Sequence, residues 1–354
     1  MNDRNMPPVE STEVLLGPIL RRLFGKTPPA RLLEVWAQKV DRGIPLKAFL
    51  QQIVMSKPFL ENKNVRVHNP AGHYFSPVVD PDLVRDYYDM SSGLGPAEIS
   101  GIDFHLDDML SFWTRNRDFI STTPFHDHPD SAHRYAYLAG SYNHGDAITL
   151  RAMIGDRRPR RVIEIGSGLS SACILDSAEQ AKLDPFHLTC IEPYPDRLKR
   201  ILRPGDEAKV ELFERGAQEM PLEMFRALEA GDILFIDSTH VLKTGSDVHY
   251  ELFFILPVLK PGVLVHFHDC RFPFEYSETQ VFAKNYSWNE AYAVRALLMY
   301  SARFRIVFHG SLFAREYRSL VEETCPTYLR NPGSALWIEV CADTNDENSP
   351  CKSP

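Results

Sequence analysis

Apolar residues recur at helical spacing near the start of the chain, first at Leu15, Leu16, Ile19, Leu20 and Leu23. After Pro28-Pro29 a second stripe follows at Leu32, Leu33, Trp36 and Val40. Gly43-Ile44-Pro45 interrupts it, and Leu46–Ile53 predicts a third helix ending near Ser56-Lys57-Pro58-Phe59. Residues 1–60 therefore read as a helical module behind a polar, frayed segment, residues 1–12. Residues 61–135 read as a loop-rich connector or lid. His68, Pro70, Gly72, His73, Tyr74, Phe75, Pro77 and Pro81 make an irregular aromatic segment there, followed by expected helices over Leu83–Tyr88 and Leu106–Trp113.

A helix over Ser141–Ile154 leads into a different grammar, in which short apolar runs alternate with helical stretches. The runs are Arg161–Gly166, Leu188–Glu192, Val210–Phe213, Asp232–Asp237 and Val263–His268. Helices are expected over Ala172–Gln180, Leu222–Glu229 and Val248–Leu259. Such alternation predicts an α/β fold with a doubly wound, mostly parallel sheet. Phe304–His309 and Ala335–Cys341 complete seven strands as an antiparallel edge, giving a domain over 136–345 and a tail over 346–354.

Composition narrows the function. Among 354 residues, 44% are hydrophobic and 24% charged, which excludes wholesale disorder. A net charge of −8 lacks the footprint of a nucleic-acid binder. The best apolar run, Gly262–Phe267, falls far short of the roughly 20 residues a membrane helix needs. The first residues carry no apolar signal core, and six cysteines form no Cys-x-x-Cys pair, so reduced thiols in a cytoplasmic protein are expected. Homo-oligomerisation is compatible with all of this.

The chemistry gathers at the ends of the strands. Glu164-Ile165-Gly166-Ser167-Gly168 is a glycine turn after a buried strand, where backbone can approach a ligand and the next helix offers its N-terminus. Glu192 closes the next strand 24 residues after Gly168, where an acid can accept both hydroxyls of a ribose. Ser171 stands where a dinucleotide fingerprint would have its third glycine. Asp237 ends the fourth strand and His268-Asp269 the fifth, and ligands of such sheets collect outside these carboxyl ends.

Val162–Ser171 resembles the first motif of the class I S-adenosylmethionine-dependent methyltransferases, and Cys190–Pro193 resembles their second. The likeness spans roughly Tyr142–Val340. Within the superfamily the chain is similar to a bacterial group with little assigned chemistry, through Ile191–Pro195, Phe235–His240, Gly245–Val248, His268-Asp269 and Pro273–Tyr276. The resemblance implies a Rossmann-like methyltransferase fold and S-adenosyl-L-methionine as cofactor. Glu164, Gly166, Ser167, Gly168 and Asp237 would line it, Glu192 would hold the ribose, and Ala217-Gln218 would border the adenine. The helical module resembles short repeats appended to bacterial enzymes of glycan assembly, which directs attention to a small polar acceptor such as a sugar or natural product.

Removal of the acceptor's proton admits two readings. Asp237, His268 and Asp269 could hold Mg or Mn, as the resemblance to metal-dependent O-methyltransferases implies, and the oxygen-rich donor set favours this reading. Alternatively His240 or His268 is a general base oriented by an aspartate, with Asp237 among the catalytic groups. The catechol-type enzymes carry Asp-Asn where this chain has His268-Asp269. His266 reads as a hydrogen-bonded core histidine, Asp146 as a solvated or cofactor-facing acid, and Tyr276, Trp288, Asn289 and Glu290 as acceptor wall or packing. His126 and His128 flank Asp127 by coincidence of spacing. A non-haem iron oxygenase on the same fold and a non-catalytic scaffold are the alternatives.

Overall fold

The computed structural model describes residues 72–342, together with 12, 16, 17, 20, 21, 30–45, 48, 49, 52, 53 and 69. The chain forms two compact units, Met1–Leu83 and Val84–Pro354, so the expected connector over 61–135 is divided between them.

In the first unit a helix covers Ala30–Asp41. Its apolar stripe buries Trp36 and Ala37 with Leu16, Leu20, Phe49 and Ile53, and Leu32, Leu33, Val40 and Ile44 pack against them. The second stripe thus buries as its period requires. Leu15, Ile19, Leu23, Pro28-Pro29, His68, Pro70, the Ser56–Phe59 stretch and the tail lie outside the described residues. In the aromatic segment Tyr74 and Phe75 stand exposed.

The second unit is built on one sheet: β1 (Arg161–Ile165), β2 (His187–Ile191), β3 (Val210–Phe213), β4 (Ile233–Ile236), β5 (Leu264–Phe267), β6 (Phe304–His309) and β7 (Leu336–Val340). The spatial order is β3-β2-β1-β4-β5-β7-β6. β1 to β5 are parallel, and β7 runs antiparallel between β5 and β6. Every residue of β4 and β5 is buried, which is why they read as unbroken apolar runs. His266 shares that burial, stacked 4.0 Å from Phe235 and 4.6 Å from Trp337. Burial holds its pKa well below the usual value, so the ring packs as a neutral aromatic. Neither of its nitrogens has a hydrogen-bond partner among the described residues, contrary to the expected hydrogen-bonded form.

Two other expectations change. Val248–Leu259 is not one α-helix: Asp247–Tyr250 is α-helical, Glu251–Ile255 widens to a π turn, and Leu256–Val258 tightens to 3-10. Pro257 supplies no backbone N–H, so the regular ladder cannot continue through it. Cys173, Cys190, Cys270 and Cys325 are free and buried, but Cys341 is disulfide-bonded, so reduced thiols do not hold throughout.

The helix after β1, Leu169–Gln180, is tied to the outer loops by Arg134. This guanidinium bridges Asp176, Glu179 and Asp206 at 2.9, 2.9 and 2.5 Å while itself only 4% exposed. Replacing it leaves two buried carboxylates without their counter-ion. Arg134→Met should therefore lower unfolding free energy by about 3–5 kcal/mol. Urea denaturation checks this, and an unchanged midpoint would remove the guanidinium from the stabilising contacts.

Candidate functional site

Register places the site. Ile165 of β1 pairs with Ile191 of β2 and Ile236 of β4, and Ile236 pairs with Phe267 of β5. The residues that follow, Gly166, Glu192, Asp237 and His268, consequently leave the sheet side by side. Phe267 also pairs with Leu336, so the segment entering antiparallel β7 delivers Ser334 to the same edge. Ser334 Oγ donates to Asp269 Oδ1 at 3.0 Å.

The glycine turn is bound tightly to this edge. Gly166 has φ +83°, and a Cβ there would fall 1.8 Å from the Asp237 carbonyl oxygen. Only glycine permits that approach. The Asp237 N–H donates to the Ile165 carbonyl at 2.9 Å, and the Gly166 N–H to the Ile191 carbonyl at 3.0 Å. Behind the turn Glu164 is fully buried and accepts from the Ser171 hydroxyl, to which the Gly168 N–H donates in turn. Burial raises the Glu164 carboxyl to about 7 despite hydrogen bonds that oppose the rise. Glu164 thus stands behind the turn and shapes it.

A cleft of about 160 Å³ opens over the turn, lined by Ser141, Gly166, Gly168, Glu192, Arg197 and Asp237. Glu192 accepts the backbone N–H groups of Ser167 and Tyr194 at 3.2 and 2.7 Å. Ser167 Oγ is buried at the turn without a hydrogen-bond partner among the described residues. Ala217-Gln218 lie in a short turn after β3 and do not line this cleft.

A second cleft of about 440 Å³ also contains Asp237, with His240, His268, Asp269, Lys284 and Trp288 among its walls. Here acids and imidazoles alternate. His268 Nε2 lies 3.6 Å from Asp146 Oδ2, and its Nδ1 3.2 Å from Asp237 Oδ1 and 3.8 Å from Asp269 Oδ2. His240 Nε2 lies 3.5 Å from Asp237 Oδ1 and 3.7 Å from Asp269 Oδ2, while its Nδ1 meets Glu290 Oε2 at 2.8 Å. Trp288 packs against the His240 ring at 4.3 Å. His240 and Asp269 both adopt left-handed backbone, at φ +60° and +53°, a conformation that concentrates at functional sites.

The charges follow from these contacts. Burial opposes ionisation of Asp237, yet the adjacent His268 and His240 outweigh it and hold the carboxyl far below the usual range. Burial likewise opposes a charged His240, but Asp237 and Glu290 carry its pKa up to about 10. The His268 pKa is also raised, against its burial, by Asp237 and Asp269.

Two of the site's acids were open in the sequence. Asp146 is 1% exposed, faces His268 and accepts the backbone N–H groups of Ser334 and Ala335, so it is no solvated face. Glu290 is the orienting partner of His240 rather than a pocket wall. Ser141, Arg197, Lys284 and Ser334 carry no motif, and only the fold brings them in.

Residues 163–270 match the family described as a methyltransferase domain. The match covers the glycine turn and most of the strands β1 to β5, in keeping with the resemblance of this stretch to the class I S-adenosylmethionine-dependent methyltransferases. An uncharacterised protein of Archaeoglobus fulgidus is 29% identical over 164 residues, 45% of this chain and 73% of that one. The O-methyltransferase of Bacillus cereus in complex with SAH is 15% identical, with a TM-score of 0.40 over 66% of this chain and all of the other. The tomaymycin-synthesis O-methyltransferase of Streptomyces achromogenes in complex with SAM is 16% identical, with a TM-score of 0.36 over 68% and 91% of the two chains. Among the described residues no helix is long and apolar enough to cross a membrane.

Gly166→Ala should force the turn away from Asp237 and destabilise the fold by about 2–4 kcal/mol, combining overpacking with left-handed strain. It should weaken S-adenosylhomocysteine at least about tenfold, a loss of 1.4 kcal/mol or more in binding. Thermal unfolding and isothermal titration measure the two effects. Wild-type affinity in a folded variant would contradict the role given to the turn.

Proposed function

We propose that the chain methylates an oxygen of a small polar acceptor, the nucleophile lying in the larger cleft and the cofactor over the glycine turn. One observation carries this reading: Asp237 lines both clefts, so they meet at a carboxylate flanked by two imidazoles. The fit to the cofactor rests on the glycine cradle, the unpartnered Ser167 hydroxyl and the Glu192 carboxylate beside it. S-adenosylmethionine supplies a methyl group already activated on a sulfonium. The chain must hold the acceptor in line, exclude water and take up a proton.

His240 is the group we assign to the proton. Glu290 fixes its ring through Nδ1, leaving Nε2 directed at Asp237 and the cleft. The negative charge of Asp237 and Asp269 stabilises the imidazolium that results. Trp288 and Tyr286, stacked 4.5 Å apart, offer the acceptor an aromatic face. That surface suits the flat apolar side of a sugar ring or an aromatic natural product.

The alternative of a divalent ion on Asp237, His268 and Asp269 does not fit the side chains as arranged. No group of three or more His, Cys, Asp or Glu among the described residues could hold a metal ion. No step is drawn through a metal. The open clefts at Asp237 also speak against a scaffold whose cofactor site is filled by its own side chains.

With a pKa of about 10, His240 is protonated at neutral pH and becomes a base only in its neutral fraction. The single-turnover rate should therefore rise with pH toward that value. A sulfonium beside Asp237 disfavours the protonated ring and moves the limb to lower pH. His240→Gln should abolish the limb and cost about 10²–10⁴-fold in rate while S-adenosylhomocysteine still binds. Stopped-flow or quenched methylation of pooled hydroxyl acceptors reads both, and wild-type titration with S-adenosylhomocysteine tests the cofactor. Loss of turnover on complete chelation would restore the metal reading.

A further inference from the structure

The acceptor cleft does not end at Trp288. A third cavity, of about 650 Å³, shares Arg271, Ser277, Asn331 and Gly333 with it, so the two form one groove. Its far wall carries Arg315 and Arg318. Arg271 and Arg318 are exposed, and their guanidiniums have no hydrogen bond or ion pair among the described residues. Arg315 is held over the Phe272 ring at 5.3 Å, with one nitrogen on the Leu94 carbonyl at 3.0 Å and another 3.5 Å from Glu316.

Of the two acids in this cavity, Glu278 has a cationic partner and Glu275 is held by neutral donors. Glu275 accepts from Ser91, Tyr292 and the Tyr276 N–H at 2.8, 2.6 and 3.0 Å. Glu278 pairs with Arg85 at 3.2 Å. With Glu278 on Arg85 and Arg315 beside Glu316, the guanidiniums of Arg271 and Arg318 leave a local positive excess over Glu275, on a chain whose net charge is −8. Two guanidiniums without partners beside a third, in a concave wall on an acidic protein, need a reason beyond solubility.

We propose that this cavity binds a phosphoryl group of the acceptor, so that the substrate is a phosphorylated or diphosphate-bearing molecule whose hydroxyl reaches Asp237 and His240. This rests on the methyl-transfer reading for what lies at the other end of the groove. Guanidinium forks match phosphoryl oxygens two at a time, and two unpaired forks suit a group carrying more than one negative charge. The separation of this basic wall from the acidic cluster also orients the substrate: its anion is repelled from Asp237 and Asp269 and drawn to Arg318.

Isothermal titration of the intact chain with inorganic pyrophosphate tests the assignment, with Arg271→Ala/Arg318→Ala as the variant and Arg200→Ala as a control away from the groove. Saturable binding is expected, weakened tenfold or more in the double variant, unaffected in the control, and stronger than that of succinate. No binding to the wild type, equal binding to the double variant, or succinate binding as tightly would overturn the proposal. S-adenosylhomocysteine is titrated in parallel and should bind wild type and double variant alike. Its failure to bind the wild type would instead strike the methyl-transfer reading and leave the pyrophosphate result standing by itself.

Discussion

The contact between the turn after β1 and the end of β4 is the constraint on which the site depends. Gly166 presses its backbone against the Asp237 carbonyl at a spacing that leaves no room for a Cβ. The Asp237 N–H is fixed on Ile165 from the same strand. One residue therefore has its main chain clamped by the cofactor-side turn and its carboxylate delivered to the acceptor side. The register of β1, β2, β4 and β5 extends the alignment, because strands that end level release their next residues level. Precision at the reacting centre comes from rigid sheet rather than from loops, as positioning of a nucleophile demands.

Charge is organised around that clamp. Asp146, Asp237, Asp269 and Glu290 enclose two imidazoles, and burial makes each group's ionisation contingent on its neighbours. Such a cluster is poorly suited to stability alone, since desolvating several charges costs more than their pairing returns. In the methyl-transfer reading proposed above, the cluster receives positive charge: a sulfonium on one side of Asp237, a transferred proton on the other. Left-handed backbone at His240 and Asp269 is compatible with the same view.

How much of this was legible in the sequence follows from how local each signal is. β1 to β5 read as apolar runs because both faces of a parallel sheet are buried, and the glycine turn reads because close approach admits no other residue. Asp237 and His268-Asp269 were legible because a strand end is a definable place in the pattern. Asp146 and Glu290 were ambiguous because their meaning lies in partners 122 and 50 residues away, at His268 and His240. Ser334 was invisible, since its position follows from an antiparallel strand inserted between two others. The π turn after Tyr250 was masked by an apolar period that a regular helix would share.

Two neighbouring regions of opposite sign line the groove. An acidic cluster open to any solute would attract cations indiscriminately, and an open basic wall would attract any anion. Here they sit at opposite ends of one groove, joined by the neutral Ser277 and Asn331, with Arg271 at the junction. A ligand that satisfies both must carry its negative charge well away from the atom that reacts. A small neutral hydroxyl compound can fill the end beside Asp237, but it leaves the guanidiniums facing water and gains nothing from them. Discrimination then arises from the distance between two charges in the ligand rather than from the shape of either pocket.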